Sequence, residues 1–321
     1  MADNHLIAKN TVFLYIRMLL SMGIYLYTTR VVLSILGVED YGIYNVVGGL
    51  VAMFSFLNAT MSGATSRFIT FELGKNSSKV QTVFSVALTI HIIIALIVFL
   101  IGETFGLWFL ENKLTIPATK MYEAKWLLQF SIVTMIFSFT QVPYNASIIA
   151  HEKMNIYAYF ELVNVGLKLL SVYLLLIIDA NKLIFYGAIV MLTQIGVTLL
   201  YRLYCTRKWE HCKFNLSLDR EFLRPLLSYS GWDLFGNASL VARTQGVNVL
   251  LNIFFGAILN AAAGIAMQVQ TAAMSFATNV MTAFRPQIVK TYAAKSYSEM
   301  INLISLGSII TYILYLIIAT P

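Results

Sequence analysis

The sequence predicts an all-α polytopic membrane protein, and three observations carry that reading. Apolar residues make up 59% of the chain and charged residues 12%, against roughly 45–50% and about 25% in ordinary globular domains. Mean hydropathy is +0.75. The apolar residues are gathered into runs of about 20, the length a helix needs to cross a bilayer. A 321-residue soluble protein with so few charges could not keep its surface wetted. Ten-residue segments of alternating polarity are absent, so helices are the spanning element.

Eight spans read approximately 11–36, 41–63, 82–108, 123–150, 156–178, 183–204, 226–255 and 258–284. A ninth, 302–320, stops at Thr320-Pro321 with no flanking loop. Either the C-terminal part of the protein is missing or the protein is unusually short. MADNHLIAKN at the start is short and polar, and the apolar run after it is too long for a cleaved signal. The first helix therefore reads as an uncleaved anchor. Gly48 and Gly49 in the second span read as a place of close helix approach.

Lys and Arg positions set the orientation. One set of loops holds Lys9, Arg67, Lys75, Lys79, Lys153, Arg207, Lys208, Lys213, Arg220, Arg224, Arg285, Lys290 and Lys295. The opposite set holds only Arg30, Lys113, Lys120, Lys125 and Lys182. This imbalance puts the N-terminus in the cytoplasm and accounts for the net charge of +7 without a nucleic-acid partner. The longest and most basic connection, 205–225, separates a six-helix bundle (1–204) from the start of a second (226–321). A faint internal repeat supports the division. Gly-Ile recurs at 42 and 264, and an arginine at 67 and 285, at offsets near one six-helix period.

The polar residues inside spans point to function, because a charge at the bilayer centre costs about 2.5–3.5 kcal/mol on insertion scales. At 100° per residue, Asn10, Arg17, Ser21 and Thr28 share one face of the first helix. Glu161, Asn164 and Lys168 share a face of the fifth. Asp233, Asn237, Thr244 and Asn248 form a stripe on the seventh, flanked by Arg243, the deepest charge. Ser131, Thr134, Ser138, Gln141 and Asn145 line the fourth helix, as glue between helices or as cavity wall. Gln268, Thr271, Ser275, Thr278, Asn279 and Thr282 line the eighth. Five one-sided polar helices predict a water-filled central cavity.

No enzyme signature appears: there is no Walker A motif, no HExxH and no GxSxG. The loops are too short for a catalytic domain, so neither catalytic residues nor a cofactor are expected. Cys205, His211 and Cys212 match no standard zinc spacing, and no metal site is expected.

The runs LGVEDYGIYNVVGGLVAMFSFLNATMSGATSRFITFELGK (36–75), QVPYNASIIAHEKMNIYAYFELVNVGLKLL and LLSYSGWDLFGNASLVARTQGVNVLLNIFFG carry a resemblance. They resemble the Wzx-type oligosaccharide flippases of the multidrug/oligosaccharidyl-lipid/polysaccharide (MOP) exporter superfamily. That resemblance implies a two-bundle MOP/MATE-like fold of twelve or fourteen helices, of which this chain supplies the first bundle and about half of the second. It implies a bacterial inner-membrane protein of surface-polysaccharide biosynthesis. Its substrate would be an undecaprenyl-pyrophosphate-linked oligosaccharide, flipped by alternating access through a cationic cavity.

Arg17, Lys168 and Arg243 are then the candidates for the pyrophosphate, and Asn248, Gln268 and Thr271 for sugar hydroxyls. Asp233 and Glu161 are candidates for H+ or Na+ coupling or for holding the basic residues. Membrane lipids, a polysaccharide polymerase and glycosyltransferases are the expected partners. A multidrug antiporter and a lipid II flippase of the same superfamily are the rival readings. A non-transporting scaffold for glycan-synthesis enzymes is a rival of another class.

Overall fold

The computed structural model describes residues 4–52, 54–75, 77–114, 116–177 and 181–319. Side chains are described for these except 4–7, 26, 38, 52, 56, 59, 240–269, 271–273 and 318–319. Among the described residues every element is helical: α1 (Asn4–Ala52), α2 (Ser55–Gly74), α3 (Val80–Ile101), α4 (Leu107–Asn112), α5 (Met121–Ala150), α6 (Met154–Ile177), α7 (Lys182–Lys208), α8 (Arg220–Ala293) and α9 (Tyr297–Ala319). A π turn at Gly102–Gly106 joins α3 to α4 without a break. Six stretches of the described residues are long and apolar enough to cross a membrane: Ala8–Gly37, Val80–Asn112, Ala118–Ala150, Met154–Ile177, Lys182–Lys208 and Tyr297–Ile317. The chain is thus a multi-pass membrane protein.

Two of the sequence boundaries need correction. Gly37, at φ 77°, breaks α1 after residue 36, a left-handed conformation that glycine adopts at little cost. The second span then runs 38–52 and resumes as α2, which continues to Gly74 rather than ending at 63. Likewise the run 258–284 is only part of α8, which extends to Ala293. Hydropathy registers the hydrocarbon slab, whereas a helix continues for as long as its own hydrogen bonds do. Arg67 and Arg285, read as loop residues, therefore lie on helices.

α8 spans 74 residues, which would measure about 110 Å if straight. It is not straight. The Tyr229 ring lies 6.4 Å from Phe68, and Tyr292 lies 6.3 Å from Phe71, one turn further along α2. Two residues 63 apart thus meet the same short face of α2, so α8 doubles back between them and supplies two antiparallel arms.

In the first bundle α5 packs among α2, α3 and α7, and fully buries Leu127, Leu128, Ile132 and Phe139. Its polar stripe serves mainly as glue. Gln194 on α7 donates to Gln141 at 2.8 Å, and Asn58 on α2 donates to Ser138 at 2.8 Å. A small cavity of about 280 Å³ remains beside Ser131, Thr134 and Ser138.

Close helix approach is not at Gly48 or Gly49, where an added Cβ would meet nothing within 4 Å. It is at Gly74, where a Cβ would stand 2.9 Å from both Lys290 Cα and Ala293 Cβ. Gly74→Ala is expected to push α2 off the second arm of α8 and to destabilise the protein by about 1–3 kcal/mol. A lower thermal midpoint in detergent would register it, and an unchanged midpoint would contradict the packing.

Candidate functional site

A cavity of about 1440 Å³ opens between α2, both arms of α8, and α9. The i, i+4 spacing of Gly63, Arg67 and Phe71 puts these residues on one face of α2. Arg67 stands over the Tyr229 ring, its guanidinium carbon 4.6 Å from the centroid. Arg285 reaches across from the second arm of α8, its Nη1 4.0 Å from where a Cβ on Gly63 would lie. Arg67 on α2 and Arg285 on the second arm of α8 thus both line this cavity. Among the described residues neither has a carboxylate within 4.0 Å. Trp232, Asp233, Met281 and Tyr292 complete much of the lining. Asp233 accepts from Asn237 at 3.4 Å, and Asn237 also donates to Thr60 on α2 at 3.3 Å.

The sequence-predicted residues do not all meet there. Asp233 lines the cavity. Arg17 lies at the contact between bundles, with Nη2 donating to Asn279 Oδ1 at 3.2 Å and its guanidinium 4.8 Å from the Tyr157 ring. Asn279 is buried, and the cavity-lining Thr278 and Thr282 flank it on α8. Arg17 thus stands against α8 and is not among the residues lining this cavity.

Glu161, one turn beyond Tyr157, shares with Arg17 the surroundings of Tyr201, which is 1% exposed with no partner for its hydroxyl among the described residues. Lys168 is exposed on α6. It sits 11 residues past Tyr157, about 16 Å along the helix. The side chains of Arg243, Asn248, Gln268 and Thr271 lie outside the described residues. Arg67 and Arg285 were missed as site residues, although their recurrence in the repeat singled them out.

One end of the helix assembly is latched by polar contacts among residues outside the cavity lining. Glu152, 6% exposed and at φ 59°, sits in the α5–α6 turn. Its carboxylate accepts from Lys290 Nζ at 2.5 Å and from Gln287 Nε2 at 2.6 Å, both on the second arm of α8. Asn10 of α1 donates to its backbone carbonyl at 3.1 Å. Lys79 and Glu221 add a two-oxygen ion pair at 2.6 and 2.8 Å across the same end.

Beside the latch, the His151 ring stacks on Trp209 at 4.1 Å and on His211 at 5.1 Å. Burial lowers the His151 pKa to about 4, against a weaker opposing effect of its hydrogen bond to the Ser147 carbonyl. His211, Lys290 and Lys153 lower it further. A lowered folded-state pKa means that the neutral ring favours the folded form. Its contribution is whole above about pH 6.5 and fades as pH falls towards 4. The thermal midpoint is expected to drop between pH 7.5 and 5 by less in His151→Phe than in the parent chain; equal drops would contradict this.

Among the described residues no cluster of three metal-ligating side chains forms. Cys205 and Cys212 are free, buried thiols.

Among solved structures, this one is similar to an outward-facing multidrug-resistance MATE family transporter of the MOP superfamily. The TM-score is 0.81 at 13% identity, over 96% of this chain and 69% of that one. The fold is that of the MATE transporters. A MATE protein in its straight conformation gives 0.79 at 14% identity, over 96% and 70% of the two chains. A MOP superfamily transporter from Pyrococcus furiosus gives 0.78 at 14% identity, over 96% and 69%. That protein is described as having a binding pocket of reverse polarity that suggests a different function. No protein-family model matches the sequence, and no curated protein matches it.

Proposed function

We infer that this protein is a transporter that moves a lipid-linked oligosaccharide, held by its pyrophosphate, across the cytoplasmic membrane by alternating access. The carrying observation is the pair Arg67 and Arg285. Two guanidiniums that line one cavity, neither with a carboxylate within 4.0 Å among the described residues, place like charges together there and leave hydrogen-bond donors open. A pyrophosphate relieves both conditions, since its oxygens accept paired hydrogen bonds from such forks. The aromatic and thioether lining suits the lipid and sugar faces. The N-terminus is read as cytoplasmic from the basic loops, which puts the latched end on the cytoplasmic side. Glu161 and Asp233 remain the candidates for ion coupling.

Export of an organic cation is the second reading, favoured by Asp233 beside Trp232 and Tyr229, whose ring faces attract cations. Deleting the gene and quantifying undecaprenyl-pyrophosphate glycans tests both. Accumulation of one complete repeat unit, with loss of the matching surface polysaccharide, is the expected result. An unchanged pool together with greater sensitivity to cationic drugs, reproduced by Asp233→Asn, would sink the flippase in favour of the drug exporter.

A further inference from the structure

The connection between α7 and α8 carries a feature that neither cavity nor latch uses. Between the turn at Glu210–Cys212 and α8 the segment 213–219 is not helical, and its two ends are extended, with ψ of 120° at Lys213 and 118° at Asp219. Alternate residues of an extended segment share a side. Phe214, Leu216 and Leu218 occupy alternate positions here, and they are 42%, 73% and 55% exposed. Three large apolar side chains left this open are costly in water.

Their depth is fixed by α3. The backbone N–H of Asn215 donates to Ser85 Oγ at 3.4 Å, and the His211 ring lies 6.5 Å from Phe84. Ser85 is five residues past the start of α3, about 7 Å along its axis. The continuous stretch Val80–Asn112 has 33 residues, about 50 Å of helix, against about 30 Å of hydrocarbon and 40–45 Å with headgroups. The first two turns of α3 therefore stand at headgroup level, and residues 213–219 lie against them there.

The charges agree. Arg207 and Lys208 precede the segment, Arg220 and Arg224 follow it, and all four are exposed with no carboxylate within 4.0 Å among the described residues. The neighbouring acids are otherwise engaged. Glu221 is held by Lys79, Asp219 caps α8 through the Glu221 N–H, and Glu210 is 3.9 Å from Lys213.

We propose that residues 213–219 are an interfacial anchor, with Phe214, Leu216 and Leu218 seated at the headgroup–acyl boundary and Arg207, Lys208, Arg220 and Arg224 holding anionic phospholipid headgroups. The anchor pins the linker between the bundles at one depth while the bundles move about it.

The test places a photoreactive benzophenone side chain at Leu216 of the full chain, with Leu218 as a second position in case the first variant does not fold. The protein is reconstituted in vesicles of equal parts phosphatidylcholine and phosphatidylglycerol, irradiated, and analysed by mass spectrometry. Phospholipid adducts are expected at Leu216, with phosphatidylglycerol favoured about fivefold, the effect of one basic residue near an anionic surface. Cross-links only to protein from Leu216 and Leu218 would overturn the anchor. Lipid adducts with no headgroup preference would overturn the anionic assignment.

Discussion

Replacing Arg67 and Arg285 together with alanine is expected to abolish transport of the lipid-linked oligosaccharide while leaving the protein folded in the membrane. Each charge-assisted contact to a phosphate oxygen contributes about 1.5–3 kcal/mol, a factor of roughly ten to one hundred per arginine. The double variant should lose more than about a hundredfold in flipping measured in proteoliposomes. Stability should not fall with it. Both side chains are exposed in the cavity, and removing two like charges from it takes away a repulsion. A raised or unchanged thermal midpoint with lost transport is the signature of a ligand site. A double variant that transports at the parent rate would dispose of the pyrophosphate role. The pair Arg67→Lys and Arg285→Lys, which keeps charge but loses the planar fork, should fall between.

Removing the Glu152 carboxylate should open the latched end. In Glu152→Ala, Lys290 and Gln287 lose their shared acceptor. Breaking a buried pair costs about 3–5 kcal/mol, but Lys290 keeps 31% of its side-chain surface exposed, which reduces the cost to about 1–3 kcal/mol. The balance between latched and open forms should then shift by about 10- to 100-fold. Spin labels at Ser78 and Ser296, one on each bundle near that end, would read this as a longer distance gaining population. A single short distance in both parent and variant would show that the latch does not govern closure. Because Glu152 is also at φ 59°, Glu152→Gly separates the contributions: it relaxes the backbone yet should open the end as Glu152→Ala does.

Much of the fold was legible because the bilayer imposes a simple rule on sequence. Runs such as 123–150 and 183–204 have no other use for their apolar residues, and the helices fall within a few residues of them. The site was less legible, for a reason visible at Arg67. A basic residue just past an apolar run looks the same in sequence whether the helix stops or continues. α2 continues for eleven residues beyond the boundary at 63, so Arg67 faces a cavity instead of bulk water. Arg17 shows the opposite failure. The sequence cannot say whether a partner helix or a cavity lies opposite its polar face, and Asn279 meets the arginine there. The recurrence of an arginine at 67 and 285 carried the missing information, because positions related by a repeat tend to meet at the interface of the two halves.

The Arg17–Asn279 contact joins residues 262 positions apart, and that separation has a meaning during synthesis. At about 5–20 residues per second, roughly 13 to 50 seconds pass between the making of the arginine and the making of its acceptor. Over that interval the first bundle must hold a cation in the membrane without that acceptor, with Tyr157, itself made some 7 to 28 seconds after Arg17 at the same rate, beneath it. The newborn first bundle is therefore an intermediate with an unmet polar demand at the very surface where the second bundle will dock. What serves the finished protein as a seam serves the nascent one as a reason to wait for its other half.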